Sequence, residues 1–209
     1  MDHVQPPQAP TRWHPDLLHE LSRAPDLASA ASLLAAAGMP VFPCWPGQKN
    51  PLTHRGLLAA STNPNRVGSW WRRWPEANIG VPTGTRSGVD VVDVDVHAEA
   101  SGYPAFARAE AAGLVTGWAW MVRTPSTGLH VYFLRGDGGQ QRSWQVPQAH
   151  VDFRGDGGYV IVPPSRVATA SGEVRGYELA EVTAATPRRV DAGALRAFLD
   201  PPRKPRATN

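Results

Sequence analysis

Residues 89–96 read Val-Asp-Val-Val-Asp-Val-Asp-Val, and no other stretch limits the possible folds of this chain so tightly. The β-branched valines suit a strand better than a helix, and a continuous apolar run of this length predicts a buried strand over Val89–Val96. Side chains alternate faces along a strand, so Asp93 and Asp95 emerge together while Val92, Val94 and Val96 point the other way. Their Cβ atoms would then lie roughly 6–7 Å apart. Two carboxylates held this way repel each other and lose hydration unless something positive sits between them, so the pair points to one or two divalent cations. The plainer alternative places both acids in water on an edge strand, with Asp90 as a turn residue. The general scarcity of Asp in strand interiors argues against it.

Two further segments repeat the pattern. In Leu129–Leu134, His130 shares a face with Tyr132 and Leu134, and Gly128 before it leaves room for a ligand to approach the backbone. An imidazole there can donate a hydrogen bond to a phosphate oxygen, although a strand histidine alone is more often a satisfied structural residue. In Val151–Phe153, Asp152 faces the same way as His150 and Arg154. A third carboxylate completes a clamp for two ions about 4 Å apart, the spacing that serves in-line phosphoryl displacement. Taken alone, Asp152 is equally a surface residue.

Around these segments the chain alternates helices and short strands. Prolines 6, 7, 10, 15 and 25 predict a loosely ordered arm over residues 1–25 with at most one short helix. Asp26 caps a helix ending at Gly38, Val41–Phe42 reads as a short strand, and Asn63-Pro64 opens a Trp- and Arg-rich helix that ends by Trp74. Strands follow at Ile79–Val81, Trp118–Arg123, Tyr159–Val162 and Val174–Leu179, with a helix over Ser101–Ala112. The Gly-Asp-Gly-Gly turns at 136–139 and 155–158 are spaced for antiparallel pairing. A helix over Asp191–Leu199 closes the fold, so residues 26–185 form the main domain, 186–200 a C-terminal helix and 201–209 a basic, disordered tail.

Composition removes several classes. No apolar run approaches the ~18 residues a membrane span needs, and the first residues lack a secretory pattern, so an intracellular, cytoplasmic protein is expected. One cysteine, Cys44, allows no internal disulfide and leaves a zinc site without paired cysteines, so no structural zinc is expected. The net charge of +3 is only a mild bias toward polyanions. The eight tryptophans read mainly as core.

The ordered set Asp93-Val94-Asp95, Gly128-Leu129-His130 and Val151-Asp152 resembles the three motifs of the archaeo-eukaryotic primase superfamily. More closely, the chain is similar to the bifunctional DNA primase/polymerase N-terminal (prim-pol) domain. Val41-Phe42-Pro43, Gly47 through Leu52, Trp70 through Pro75, Asn78-Ile79-Gly80, Arg123 through Ser126, Arg154 through Val160 and Pro163-Pro164-Ser165 extend the likeness over about residues 28–180. The resemblance implies an α+β fold: a primase-like catalytic core with an RRM-like antiparallel sheet, flanking helices and a smaller N-terminal α/β lobe. It implies that Asp93, Asp95 and Asp152 bind Mg²⁺ or Mn²⁺ and that His130 contacts nucleotide phosphates. Lys49, Arg123, Ser126, Gly128 and Arg154 would complete the nucleotide site. The partners implied are a single-stranded DNA template and primer, NTP or dNTP, and a separate replicative helicase in the replication of a plasmid, phage or mobile element. Two alternatives stay open: an RRM-like module that binds nucleic acid or nucleotide without catalysis, and a metal-dependent nuclease.

Overall fold

The computed structural model describes residues 13–97 and 99–200. In chain order its elements are α1 (Pro15–Ser22), α2 (Leu27–Ala36), β1 (Phe42–Cys44), α3 (Pro64–Arg73), β2 (Asn78–Pro82), β3 (Val89–Val94), β4 (Val96–His97), β5 (Ala100–Ser101), α4 (Tyr103–Ala111), β6 (Trp120–Arg123), β7 (Leu129–Leu134), β8 (Trp144–Val146), β9 (Val151–Arg154), β10 (Tyr159–Ile161), β11 (Arg166–Ala168), β12 (Val174–Gly176), β13 (Glu178–Val182) and α5 (Ala192–Leu199). The fold is mixed α+β, with five α-helices among the described residues and antiparallel sheets.

Six strands form the larger sheet in the order β13-β6-β7-β3-β9-β8. All six residues of β3 are buried, because the strand has neighbours on both sides and covered faces above and below. On one face Val92, Val94, Val131, Phe133, Val151 and Phe153 pack against Ala105, Phe106 and Ala109 of α4 and Leu195 and Leu199 of α5. On the other, Val89, Val91, Trp120, Val122 and Tyr132 join a second cluster containing Leu34, Phe42, Ile79 and Val81. Burial of that apolar area is the main force holding the layers together.

A three-stranded sheet, ordered β1-β2-β10, lies on this second face. The smaller α/β lobe expected from the N-terminal part is therefore composite. Its third strand, β10, comes from beyond the acidic strands and pairs with β2 through Val160↔Val81. Gly157, at φ 83°, makes the preceding turn in a conformation that suits glycine. Helices α2 and α3 pack on each other and on this sheet. Gly80 is where the strand meets the Phe42 ring: a Cβ there would come within 2.5 Å of it.

Several expectations change. The arm predicted over residues 1–25 lies outside the described residues up to 12, but from Trp13 onward it is packed: α1 is capped by the His14 side chain and buries Leu17, Leu18 and Leu21, while the Trp13 ring lies 5.0 Å from Trp120. The tail over 201–209 also lies outside the described residues. The strand predicted over Val89–Val96 stops at Val94, because the Asp95 N–H donates to the His150 carbonyl at 2.9 Å and the Asp95 carbonyl accepts from Gly102 at 2.8 Å. The strand predicted over Val174–Leu179 is two strands broken at the buried Tyr177. Strands β8 and β11 had no counterpart in the sequence reading.

Candidate active site

Register places the acids. Asp93 on β3 is the Cα partner of His130 on β7 and, on its other side, of Asp152 on β9. Cross-strand partners point to the same face, so the period-two alternation of three separate strands brings these side chains together. Asp95, just past the end of β3, joins them: one carboxylate oxygen from each of Asp93, Asp95 and Asp152 lies within 4.8 Å of the others. Asp93 is 8% exposed and Asp152 6%.

Asp93 lines a cleft of about 240 Å³ walled also by Lys49, His130, Arg154, Tyr159 and Tyr177, with the Gly157-Gly158 backbone. Burial holds the carboxyls of Asp93 and Asp95 above the usual carboxylate range; Arg154 and Lys49 partly oppose this at Asp93, while at Asp95 the charges of Asp93 and Asp152 add to it. Anions that are desolvated and crowded in this way gain from a bound cation. The donors are all carboxylate oxygens, a set that suits hard ions such as Mg²⁺ or Mn²⁺. Among the described residues the three acids are the only such His, Cys, Asp and Glu group, and no zinc-type cluster accompanies them.

Arg154 supplies positive charge within the triad. Its Nη2 donates to Asp152 Oδ2 at 2.7 Å and to Asp93 Oδ2 at 3.4 Å. Gln145, on the edge strand β8 opposite Asp152, donates to the same Asp152 oxygen at 2.8 Å. Asp152 Oδ2 thus has two donors, which orients the carboxylate and leaves Oδ1 for another ligand.

His130 is 4% exposed, with Nε2 3.4 Å from Asp93 Oδ1. Burial first, then Lys49 and Arg154, push its pKa down to about 3, so the ring is neutral at physiological pH and the contact is not an ion pair. Nδ1 is buried and has no hydrogen-bond partner among the described residues. A proton on Nε2 avoids burying an unpaired N–H and leaves that N–H facing the acids. Tyr132, which shares the strand face of His130, is 1% exposed beneath the site, stacked on Trp120 at 4.5 Å. Tyr177 and Tyr159, which do line the cleft, were missed.

Lys49 comes from the turn after β1, and the Tyr159 hydroxyl donates to its carbonyl at 3.2 Å. The structure does not gather the remaining residues expected at the nucleotide. Arg123 belongs by register to the opposite face, as the partner of Leu129, and its exposed guanidinium lies 3.9 Å from Glu178. Ser126 is exposed on the turn before β7. Neither lines the cleft. Gly128 is buried, and a Cβ there would collide with the Val94 carbonyl oxygen. Its lack of a side chain serves packing against β3 rather than ligand approach. Gln145 could have been found from the alternation Trp144-Gln145-Val146, which puts one polar side chain between two apolar ones.

No curated protein matches the sequence. The family model described as bifunctional DNA primase/polymerase, N-terminal, matches residues 30–190, a span that contains all three acids, His130, Lys49, Gln145 and Arg154. With that coverage added to the ordered acids and the basic cleft, the chain belongs to the Prim-Pol family of bifunctional DNA primase/polymerase N-terminal domains.

Proposed function

We propose that this protein catalyses template-directed nucleotidyl transfer from nucleoside triphosphates by a two-metal mechanism, and that its six-stranded sheet is the RRM-like core of an archaeo-eukaryotic primase fold. The observation that carries this reading is the convergence of Asp93, Asp95 and Asp152, with Asp93 lining a cleft that also bears Lys49, His130 and Arg154. Carboxylates gather cations, and the adjoining cations and N–H donors receive the phosphates. A primer 3′-hydroxyl, or a first nucleotide, attacks the α-phosphorus; the bond to the bridging oxygen breaks, pyrophosphate leaves, and the hydroxyl proton passes to solvent.

Asp93, Asp95 and Asp152 would hold the Mg²⁺ or Mn²⁺ ions, which when bound make the attacking hydroxyl more acidic and offset charge on the leaving oxygen. Lys49 and Arg154 orient the triphosphate, and neutral His130 donates its Nε2 hydrogen to a phosphate oxygen. Gln145 keeps Asp152 in its rotamer. Tyr159 and Tyr177 wall the cleft and limit water around the reacting groups. Replication of a plasmid, phage or mobile element, with a separate helicase, is the setting proposed for the activity.

A second reading, a binding module without catalysis, is favoured by the way Arg154 already bridges Asp93 and Asp152. Labelled nucleotide incorporation on primed and unprimed templates with Mn²⁺ separates the two. Product is expected from the wild type, with Asp93→Asn and Asp95→Asn reduced by at least about 10²-fold while melting cooperatively. Binding of nucleotide and DNA with no product from the wild type would favour the module, and template degradation outrunning incorporation would point to a nuclease.

A further inference from the structure

Of the eight tryptophans, seven are buried or half-buried, and Trp45 alone is exposed, at 52%. A single exposed apolar side chain needs no special cause, but this one sits on a tightly fastened turn. The Trp45 N–H donates to the Asn50 carbonyl at 2.8 Å, the Gln48 N–H to the Trp45 carbonyl at 3.0 Å, and the Ala168 N–H to the Gly47 carbonyl at 2.9 Å. Beneath the turn Asn78, 2% exposed, donates to the carbonyls of Gln48 at 2.9 Å and Arg166 at 2.7 Å. The same turn delivers Lys49 to the cleft wall.

Charge adds an independent observation. Between Asp26 and Glu76 the sequence has no acidic residue, yet it carries Lys49, Arg55, Arg66, Arg72 and Arg73. All five are exposed, and among the described residues none lies within ion-pair distance of a carboxylate. Lys49 and Arg55 follow β1, an edge strand of the small sheet, and Arg66, Arg72 and Arg73 lie on α3, which packs on β1. The tryptophans of α3 are committed elsewhere. Trp71 is buried and donates to the Ala77 carbonyl at 3.0 Å, while guanidiniums of Arg66 and Arg73 lie 6.0 and 5.5 Å from the rings of Trp70 and Trp74.

We propose that this basic flank, with Trp45 as its stacking platform, holds the single-stranded template next to the cleft; the proposal rests on the polymerase reading above. Unpaired cations attract phosphodiesters without reading sequence, and binding of that kind weakens steeply with salt. An exposed indole offers its face to an unstacked base, which a single strand presents and a duplex does not. A rigid turn keeps the indole in place at little entropic cost on binding.

The test is fluorescence anisotropy of a labelled mixed-sequence single-stranded oligonucleotide with the full chain, over a range of salt, without nucleotide. Trp45→Ala is expected to weaken binding by at least about fivefold and Trp45→Phe to restore most of it. The double variant Arg72→Ser/Arg73→Ser is expected to flatten the slope of log affinity against log salt by about 1.4, two phosphate contacts on a single strand. Duplex DNA should compete poorly. Wild-type affinity in both Trp45→Ala and the arginine double variant, or equal competition by duplex, would overturn the proposal. Asp93→Asn separates this from the catalytic reading: it is expected to keep oligonucleotide binding and lose incorporation. Incorporation that survived in Asp93→Asn would overturn the catalytic reading whatever Trp45 does.

Discussion

Arg135 is 4% exposed, and its guanidinium donates to Asp156 at 2.8 Å and to the Gly139 carbonyl at 2.7 Å, with Asp90 3.7 Å away. Asp90, a turn residue only in the edge-strand alternative, is fully buried and accepts from Gln141 at 2.8 Å. Burial tends to raise the Asp156 carboxyl, but hydrogen bonds from Thr85 and Arg135 outweigh it and hold the group below its ordinary range. This network ties the turn before β10 to β3 and β7, and so fixes the relation between the two sheets. Arg135→Met is expected to lower stability by about 3–5 kcal/mol in denaturant unfolding, because it leaves the buried Asp90 and the half-buried Asp156 without this guanidinium. A loss below 1 kcal/mol would show that the network relaxes around the gap.

Among the elements, α1 shows how tertiary packing overrides local signals. The prolines along residues 1–25 predict a loosely ordered arm, yet Trp13 is 5% exposed and its indole N–H donates to the Ser87 carbonyl at 3.0 Å. Trp13→Ala should cost about 3–5 kcal/mol in chemical denaturation, the range for emptying a buried aromatic site; a near-neutral effect would mean that α1 adds little to the core. In β3, β7 and β9 the facing of Asp93, His130 and Asp152 was legible, because alternation is a local property of strands. The end of β3 at Asp95 and the inward turn of Tyr177 were not, since both depend on hydrogen bonds to residues distant in sequence. The same holds for Arg154: its place on the correct face was readable, but its bridge between two acids required the pairing of β3 with β9.

At the scale of the whole molecule, the two sheets leave a cleft that Asp93 lines together with Lys49, His130 and Arg154, and Asp95 and Asp152 gather with Asp93. Asp93 and Asp95 have folded-state pKa values raised above the unfolded ones. Their contribution to stability is therefore fully present below the ordinary carboxylate pKa of about 4 and is lost as pH rises through the raised values. At neutral pH the cation-free protein carries that penalty, which a divalent ion bound only to the native state offsets. Mn²⁺ is expected to raise the melting temperature more at about pH 7.5 than at about pH 5, and Asp95→Asn to remove most of the rise. An equal rise at both pH values would place the ion elsewhere.

The most direct test is anomalous diffraction at the manganese edge from crystals grown with Mn²⁺ and a non-hydrolysable nucleoside triphosphate. The prediction is manganese density among Asp93, Asp95 and Asp152, with the triphosphate reaching toward Lys49, His130 and Arg154. Bound nucleotide with no manganese at the three carboxylates, or manganese held only by other residues, would contradict it.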